Sequence, residues 1–232
     1  MNETEEMVML GNMERAITPY INTIVLGDCL DVMQNFPDKS VDLILADGPY
    51  GVRKKEEWDN AENFKKQIDA WLAECFRVSR TTIWFCAGKM LPYILMNKEG
   101  VFHRLLFWNK PKGTQFAGAM HSNIWYSTEP ILVFGEYPKL DKSKKYGYSS
   151  FTYPSVPYKR FSHPTTKPLG LIKELVYFYS NTNDLVCDPF VGSGTTVKAC
   201  KELGRRYIGI EEKEKHYKTA LNRASCTEEP LF

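Results

Sequence analysis

Short apolar runs rich in β-branched residues recur along the chain and alternate with segments of helical periodicity. Seven of these runs have the length and composition of buried strands: 21–26, 41–46, 81–86, 102–108, 131–134, 185–187 and 207–210. Apolar residues recur at helical spacing in 64–78, 169–179, 197–203 and 213–224. Because strands that alternate with helices usually pair in parallel, the pattern predicts an α/β fold with a mostly parallel sheet of about seven strands and helices on both faces.

Two stretches depart from this alternation. The first 20 residues are polar, and we expect them to be flexible. Residues 139–164 are rich in Lys, Tyr, Ser and Pro without a clear period, which predicts an inserted loop or small recognition element. We therefore predict a flexible N-terminus over 1–20 and a single domain over 21–232, with the inserted recognition segment within 111–162.

The composition narrows the class of protein. A chain of 232 residues that is 43% hydrophobic can bury one core. Its six cysteines are scattered without a C-x-x-C pair, and its four histidines are dispersed, so we expect reduced core thiols, a cytoplasmic location and no metal. The acidic N-terminus and the short apolar runs also predict neither a secretory signal nor a membrane span.

The net charge of +2 is unevenly distributed. Residues 101–167 contain ten basic and three acidic residues, together with fourteen of the 31 aromatic ones. Basic charge interleaved with aromatic rings is typical of a surface that binds phosphates and stacks bases, although a solvated Lys-rich loop is the alternative for 139–145. The predicted nucleic-acid contacts are Lys110, Lys112, Lys142, Lys144, Lys145, Lys159 and Arg160.

A Gly-rich run follows one predicted strand and precedes a predicted helix: Asp188-Pro189-Phe190-Val191-Gly192-Ser193-Gly194-Thr195-Thr196. A strand, a Gly-rich turn and a helix N-terminus hold nucleoside cofactors in α/β folds. The run lacks the Lys of a P-loop and the spacing G-x-G-x-x-G, so it favours S-adenosylmethionine over a triphosphate or dinucleotide. Glu211 ends the next predicted strand, where it could bind ribose or begin the following helix.

A second motif follows the predicted strand 41–46, with the sequence Asp47-Gly48-Pro49-Tyr50-Gly51. Ligands of α/β sheets lie at the carboxyl ends of the strands, so this turn and the Gly-rich run should face the same crevice. A carboxylate and a backbone carbonyl can accept the two hydrogens of an amino group, while the aromatic ring stacks on a base. On its own, however, such a string is ordinary turn chemistry.

Together the two motifs resemble those of the DNA amino-methyltransferases, which use S-adenosylmethionine to methylate adenine N6 or cytosine N4. That family carries an (Asp/Asn/Ser)-Pro-Pro-(Tyr/Phe) turn and a Phe-x-Gly-x-Gly loop. Residues 190–194 match the loop fully, and residues 47–50 match the turn except at Gly48, where the family usually has proline. The turn precedes the loop, as in the circularly permuted β group, and the similarity extends over about 24–223. It implies a Rossmann-like, circularly permuted methyltransferase fold.

Shorter stretches are also similar to elements of the β group. Residues 27–30 resemble its early adenine-contacting element, 108–110 and 128–132 its central segments, and 163–168 the element near the methionine end of the cofactor. Asp28 could instead cap a helix, Thr195 and Thr196 could bind helix amides, and Lys167 could be a surface charge. The resemblance implies these cofactor-binding residues: Asp28, Cys29, Thr165, Thr166, Lys167, Asp188, Pro189, Phe190, Gly192, Ser193, Gly194, Thr195, Thr196 and Glu211.

The activity implied by the resemblance is methylation of an exocyclic amino group on a base flipped out of double-stranded DNA. The expected catalytic residues are Asp47, Gly48, Pro49 and Tyr50, with Tyr50 stacked on the base. An Asp at the head of the turn favours adenine N6, and cytosine N4 is the alternative. Two other readings stay open: a non-catalytic subunit disabled at Gly48, and an RNA or protein methyltransferase. Relatives often dimerise, so a homodimer in a prokaryotic or phage-infected cell is a further expectation.

Overall fold

The structure, a computed structural model, describes residues 15–50, 61–96, 98, 101–114, 126–136, 144, 147–157 and 166–226. Within these ranges the strands are β1 (Thr23–Leu26), β2 (Val41–Ala46), β3 (Ser79–Phe85), β4 (Phe102–Thr114), β5 (Tyr126–Gly135), β6 (Ser150–Thr152), β7 (Leu185–Asp188) and β8 (Arg206–Glu211). The α-helices are α1 (Cys29–Met33), α2 (Ala61–Val78), α3 (Leu91–Leu95), α4 (Leu169–Tyr179), α5 (Thr195–Leu203) and α6 (Glu214–Ser225).

All eight of these strands join one sheet in the order β1-β8-β7-β2-β3-β5-β4-β6. Neighbouring strands in the stretch β1-β8-β7-β2-β3 are parallel, and so are β4 and β6. Strand β5 runs antiparallel to both of its neighbours, β3 and β4. The predicted α/β fold with a mostly parallel sheet is therefore confirmed. The eighth strand, β6, falls in the stretch that we expected to be a loop, because three residues are too few to show a period.

The central strands are buried on both sides, which explains their continuous apolar sequence. On one face, Ile44 of β2 packs in a cluster with Leu72 of α2. On the other face, Leu43 packs with Leu175 of α4. Because successive strand side chains point to opposite faces, one apolar run supplies both halves of the core.

The position of β2 beside β7 determines where a ligand can bind. The register pairs Leu43 with Val186 and Ile44 with Cys187, so the carboxyl ends of the two strands lie at the same edge. From β2 the chain continues to β3 on one side, and from β7 it continues to β8 on the other. Their junction is therefore a switch point of the sheet, where α/β proteins bind ligands.

The observed ends of several elements differ from the predicted ones. Strands β4 and β5 extend beyond the predicted 102–108 and 131–134, since less apolar positions follow the apolar run in β4 and precede it in β5. At the N-terminus, residues 1–14 lie outside the described ranges. In the part that is described, 15–20, Ile17 is buried in the core and Thr18–Tyr20 form a 3-10 turn, while most of the other side chains are exposed.

Candidate active site

The turn that the sequence predicts to be catalytic begins at Asp47, directly after β2. Its Oδ1 accepts hydrogen bonds from the Tyr50 hydroxyl at 2.7 Å and from the Lys167 ammonium at 2.6 Å. The Tyr50 hydroxyl also lies 2.5 Å from Oε1 of Glu129, a residue of β5. Lys167 Nζ lies 2.8 Å from the same hydroxyl and 3.3 Å from Glu129 Oε1. The turn is thus tied to two distant parts of the chain.

A second lysine completes this arrangement. Lys110 of β4 donates to Oε2 of Glu129 at 2.8 Å. The side chains of Lys110, Glu129 and Lys167 are 6%, 9% and 6% exposed, and that of Asp47 is 16% exposed. Two carboxylates therefore balance two ammonium groups in a nearly closed space, which is the condition under which charges can be buried. We call Asp47, Tyr50, Lys110, Glu129 and Lys167 the charge cluster.

Aromatic rings surround the Lys167 ammonium. Its Nζ lies 5.1 Å from the ring centroid of Tyr50, 4.9 Å from that of Phe85 and 5.7 Å from that of Trp108. Lys110 Nζ lies 4.3 Å from the Trp108 ring. Ring faces attract cations at these distances, so the rings contribute to holding both ammonium groups in place.

The cluster divides its two acids into different roles. Burial raises the pKa of the Asp47 carboxyl, and it outweighs the opposing effect of Lys167. Burial acts on Glu129 as well, but Lys167 and Lys110 together bring the pKa of its carboxyl below the usual range. The pKa of Lys167 is raised by Asp47 and Glu129 despite its burial. Of the two carboxylates, Asp47 is therefore the one that takes up a proton more readily.

The Gly-rich loop begins at Asp188, the last residue of β7. Its buried carboxylate accepts hydrogen bonds from the Phe190 amide at 3.0 Å and from the Thr196 hydroxyl at 2.5 Å. Burial raises the pKa of this carboxyl to about 7. Gly192 and Gly194 have φ of 51° and 79°, a left-handed conformation that favours glycine. Gly194 precedes the first turn of α5 without a side-chain cap.

Glu211 at the end of β8 takes part in the start of the following helix, which was one of the two roles considered for it. Its Oε2 accepts from the Gly192 amide at 2.9 Å, and its Oε1 accepts from the Lys213 amide at 3.0 Å. It thereby anchors the Gly-rich loop and the start of α6. A carboxylate can accept about four hydrogen bonds, so capacity for a ligand remains.

The two motifs meet through Gly48 and Phe190. A Cβ atom on Gly48 would lie 2.9 Å from Phe190 Cε2, closer than real contacts allow. The Phe190 ring is held edge-on by Trp71 and Trp84, with centroids at 5.3 and 5.8 Å. The predicted convergence of the two turns at one edge of the sheet is thus confirmed.

Other predicted cofactor residues surround the same edge. Asp28 caps α1, since its Oδ1 accepts from the Leu30 amide at 2.7 Å. Cys29 is buried, which raises the pKa of its thiol to about 12. The hydroxyls of Thr195 and Ser193 both lie near the Arg223 guanidinium, at 2.6 and 3.2 Å. Each of these residues therefore has a structural role within the protein. A cofactor contact for each of them stays a prediction.

Thr166 has a different environment. Its hydroxyl oxygen is buried and has no hydrogen-bond partner among the residues that the structure describes. Buried polar groups are normally satisfied, so this atom is available to a ligand. It precedes Lys167, whose ammonium reaches the catalytic turn rather than the protein surface.

Two of the predicted DNA contacts need correction. Lys110 is buried in its pair with Glu129, so its charge is not presented to a phosphate. Lys144 is half-buried and donates to the backbone carbonyls of Tyr177 and Ser180 at the end of α4. In both cases neighbouring acceptors outcompete solvent for the ammonium. The remaining predictions lie outside the described residues, or, for Lys112, outside the described side chains: Lys112, Lys142, Lys145, Lys159, Arg160 and Thr165.

Sequence reasoning missed Glu129 as a site residue. The signal was present, because an acid in the run Thr128-Glu129-Pro130-Ile131 leads directly into the apolar core of β5. Lys110 likewise follows the apolar part of β4. Opposite charges in two neighbouring, otherwise buried strands predict a buried pair, once the strands are known to be neighbours.

The described part of the chain was predicted to have neither a membrane span nor a metal site. No helix there has the length and apolar character needed to cross a membrane. Nor does that part of the chain bring together three or more His, Cys, Asp or Glu side chains that could hold a metal ion.

Comparisons with known proteins agree with the geometry. Residues 41–222 match the DNA methylase family of N6 and N4 methyltransferases. The chain is 30% identical over 252 residues to the Type II methyltransferase M.HinfI of Haemophilus influenzae, with 91% of this chain and 70% of that protein covered.

Solved structures give the same answer at the level of the fold. The M1.HpyAVI complex with S-adenosylmethionine has a TM-score of 0.62 and 27% identity, covering 87% of this chain and 98% of that one. The cytosine-N4-specific PvuII DNA methyltransferase has a TM-score of 0.70, covering 88% of this chain and 86% of that one. At 15% identity the second likeness shows the fold alone.

Proposed function

We propose that this chain, which belongs to the DNA methylase family of N6 and N4 methyltransferases, methylates adenine N6 at a specific site in double-stranded DNA. S-adenosylmethionine is the cofactor of the family. The observation that carries the proposal is the contact between the Asp47–Tyr50 turn and the Phe190 loop at the switch point of the sheet. The Asp at the head of the turn supports adenine over cytosine, as the resemblance implies.

The residues around the Gly-rich loop fit the cofactor. The left-handed Gly192 and Gly194 let the backbone approach a ligand closely, and the first amides of α5 have no partner within their helix. Glu211 can accept from ribose, and the buried Thr166 hydroxyl can bind the polar methionine end. When bound, the cofactor supplies an electrophilic methyl group on a sulfonium.

The catalytic turn presents the amino group to that methyl. Tyr50 and Lys167 both occupy Oδ1 of Asp47, and Oδ2 has no partner among the described residues. In the complex, Oδ2 accepts one N–H of the target amino group and the Gly48 carbonyl accepts the other, while the Tyr50 ring stacks on the flipped base. These contacts would turn the nitrogen lone pair towards the methyl group of the bound cofactor.

A proton must leave the nitrogen as it gains the methyl group. Asp47 is the acceptor in this proposal, and it need not be a strong base, because the amino nitrogen gives up a proton readily once it is methylated and cationic. The raised pKa of the Asp47 carboxyl suits this role. Most of the catalysis consists of positioning and electrostatic stabilisation.

Gly48 bears on the non-catalytic alternative. It retains the backbone carbonyl that the mechanism uses, and its missing side chain makes room for the Phe190 ring. Both observations favour a working turn over a disabled one.

In this proposal the segment within 111–162 recognises the target sequence. The basic residues of that segment bind phosphates and set the register of the protein on DNA. A homodimer and a cytoplasmic location stay predictions. Analytical ultracentrifugation of the chain with and without DNA tests the first of them.

Isotope transfer tests the proposed activity. Labelled S-adenosylmethionine is incubated with DNA, RNA and protein acceptors, and the methylated product is identified by mass spectrometry. We expect N6-methyladenine in DNA, and the methylome of cells that express the chain then gives the target sequence. N4-methylcytosine would favour the cytosine alternative, and cofactor binding without transfer to any acceptor would favour a non-catalytic subunit.

A further inference from the structure

We infer that Glu129 is a positioning residue for methyl transfer: its carboxylate holds Lys167 and the Tyr50 hydroxyl so that Asp47 keeps one oxygen for the target amino group. The inference rests on the proposed function. Glu129 lies on β5, far in sequence from both motifs, and the family resemblance gave it no role.

Both oxygens of Glu129 are engaged within the charge cluster. Oε1 lies 2.5 Å from the Tyr50 hydroxyl and 3.3 Å from Lys167 Nζ, while Oε2 accepts from Lys110 Nζ at 2.8 Å. A side chain only 9% exposed has little freedom to reorient. Glu129 is therefore a fixed anion behind the catalytic turn.

The lysine beside it has as many acceptors as it has hydrogens. Lys167 carries three N–H groups, and its Nζ lies near Asp47 Oδ1, the Tyr50 oxygen and Glu129 Oε1. Without the third acceptor, the ammonium would be free to shift towards Asp47 and take its second oxygen. Glu129 thus keeps the Lys167 ammonium from competing with the substrate amino group for Oδ2 of Asp47.

The hydroxyl of Tyr50 has one hydrogen, yet it contacts two carboxylates. It can donate to only one of them at a time, and when it donates to Glu129, Lys167 is the remaining donor to Asp47 Oδ1. In the proposed mechanism Oδ2 takes the proton from the methylated nitrogen, and the nearby negative charge of Glu129 favours the protonated form of Asp47. Glu129 thereby assists the proton transfer to Asp47.

The pH dependence of the rate gives a readout that a purely structural role would leave unchanged. The titratable or charged groups that face Asp47 among the described residues are Tyr50, Lys167, Glu129 with Lys110, and Asp188. The negative charge of Glu129 raises the pKa of Asp47, so its removal lowers that pKa. The acid limb of the rate profile should then move to lower pH.

The experiment compares single-turnover methylation of the target duplex by the wild type and by Glu129→Gln across pH. We expect the maximal rate to fall about tenfold or more, the acid limb to move to lower pH, and cofactor affinity by calorimetry to change by less than about threefold. Glu129→Asp keeps the charge at a shorter reach, so its rate should fall while its acid limb stays in place.

Two further variants make the test decisive. Glu202→Gln removes an acid from a more exposed pair with Lys173, so it should leave rate and acid limb unchanged. Tyr50→Phe keeps the ring and removes the hydroxyl bridge without changing charge, and we expect a rate loss of about tenfold. A rate within about twofold of the wild type for Tyr50→Phe, or an unmoved acid limb in a folded Glu129→Gln protein, overturns the inference.

Failure of the proposed function has a separate signature. A wild-type protein that binds cofactor but methylates no DNA contradicts the proposed function, and the inference falls with it. A wild-type protein that methylates DNA at the same rate as its Glu129→Gln variant contradicts the inference alone.

Discussion

Gly48 occupies the position where the resembling family usually has proline, and its contact with Phe190 gives a steric reason for the difference. The Phe190 ring lies where a Cβ atom would be, and Trp71 and Trp84 prevent the ring from moving aside. A glycine at this point therefore accommodates the close approach of the two motifs. The glycine is thus explained by the space that the Phe190 ring occupies, and the same contact limits how far the Gly48 backbone can move.

Gly48→Pro and Gly48→Ala should each destabilise the protein by about 1–3 kcal/mol, because overpacking displaces a ring that is held on both sides. Urea denaturation measures the change, and single-turnover methylation should slow in parallel. Gly88→Ala is the control, because a Cβ there would meet no atom within 4 Å. If Gly48→Pro proves both more stable and faster than the wild type, the turn lacks stiffness rather than space.

Asp47→Ala should abolish methyl transfer, with a rate loss of about 100-fold or more, while cofactor binding by calorimetry stays near the wild-type value. Asp47→Asn retains an oxygen acceptor without the charge, so its loss should be smaller. Joint loss of transfer and cofactor binding in both variants would instead indicate that the substitution disrupts the site.

Asp188 should make the free energy of unfolding depend on pH. Its pKa rises from 3.8 in the unfolded chain to about 7 in the folded one, so the folded state binds the extra proton between these values. Stability due to this group is therefore present at low pH and is lost as the pH rises towards 7, by at most about 1.4 kcal/mol per pH unit. Urea denaturation from pH 5 to 8 should show a smaller decline for Asp188→Asn than for the wild type. Equal declines would contradict the assignment.

At the scale of secondary-structure elements, the start of α5 combines a left-handed glycine with a close backbone contact to α6. Gly194 adopts a left-handed conformation immediately before the helix, and a Cβ there would lie 3.0 Å from the Ala220 Cα of α6. The same glycine provides no side-chain cap, so the first amides of α5 stay available to the cofactor.

Gly194→Ala should lower stability by about 1–3 kcal/mol and weaken cofactor binding, because both the φ angle and the contact with α6 must relax. Gly204→Ala at the other end of α5 is a matched control, with φ of 70° and its nearest contact at 3.5 Å. It should cost similar backbone strain without affecting cofactor affinity. Calorimetric titration of both variants decides the matter, and equal affinities would remove the loop from the cofactor site.

At the scale of the whole molecule, the sheet order separates two functions. The predicted cofactor residues extend from β7 towards β8 and β1, whereas the charge cluster draws on the ends of β2, β4 and β5. In the sequence, most of the predicted basic and aromatic recognition residues come after β4 and β5. This arrangement suits an enzyme that receives its cofactor and its macromolecular substrate from different sides of one junction.

Replacing Lys159 and Arg160 together by alanine should weaken DNA binding about equally for all sequences and reduce the salt dependence of log K by about 2. Fluorescence anisotropy at several salt concentrations measures both quantities. Lys144→Met is the contrasting variant, since its ammonium already binds backbone carbonyls, and it should affect stability rather than the salt slope. An unchanged slope in the double variant would exclude these residues from the DNA surface.

The sequence by itself determined what depends on local pattern. Strand β2, helix α4 and the Gly-rich loop could be predicted closely, because a fully buried strand, an amphipathic helix and a left-handed turn each impose their own composition. The family motifs added the order of the two turns along the chain.

Only the tertiary structure decided which charges meet. Lys110, Glu129 and Lys167 come from three separate segments, and their pairing depends on the neighbouring positions of β4 and β5 and on the reach of the chain before α4. No local pattern encodes such a contact, because the free energy that makes a buried charge tolerable comes from a partner brought close by the fold. For the same reason Lys110, which resembles a DNA contact in the sequence, is an interior residue in the folded protein.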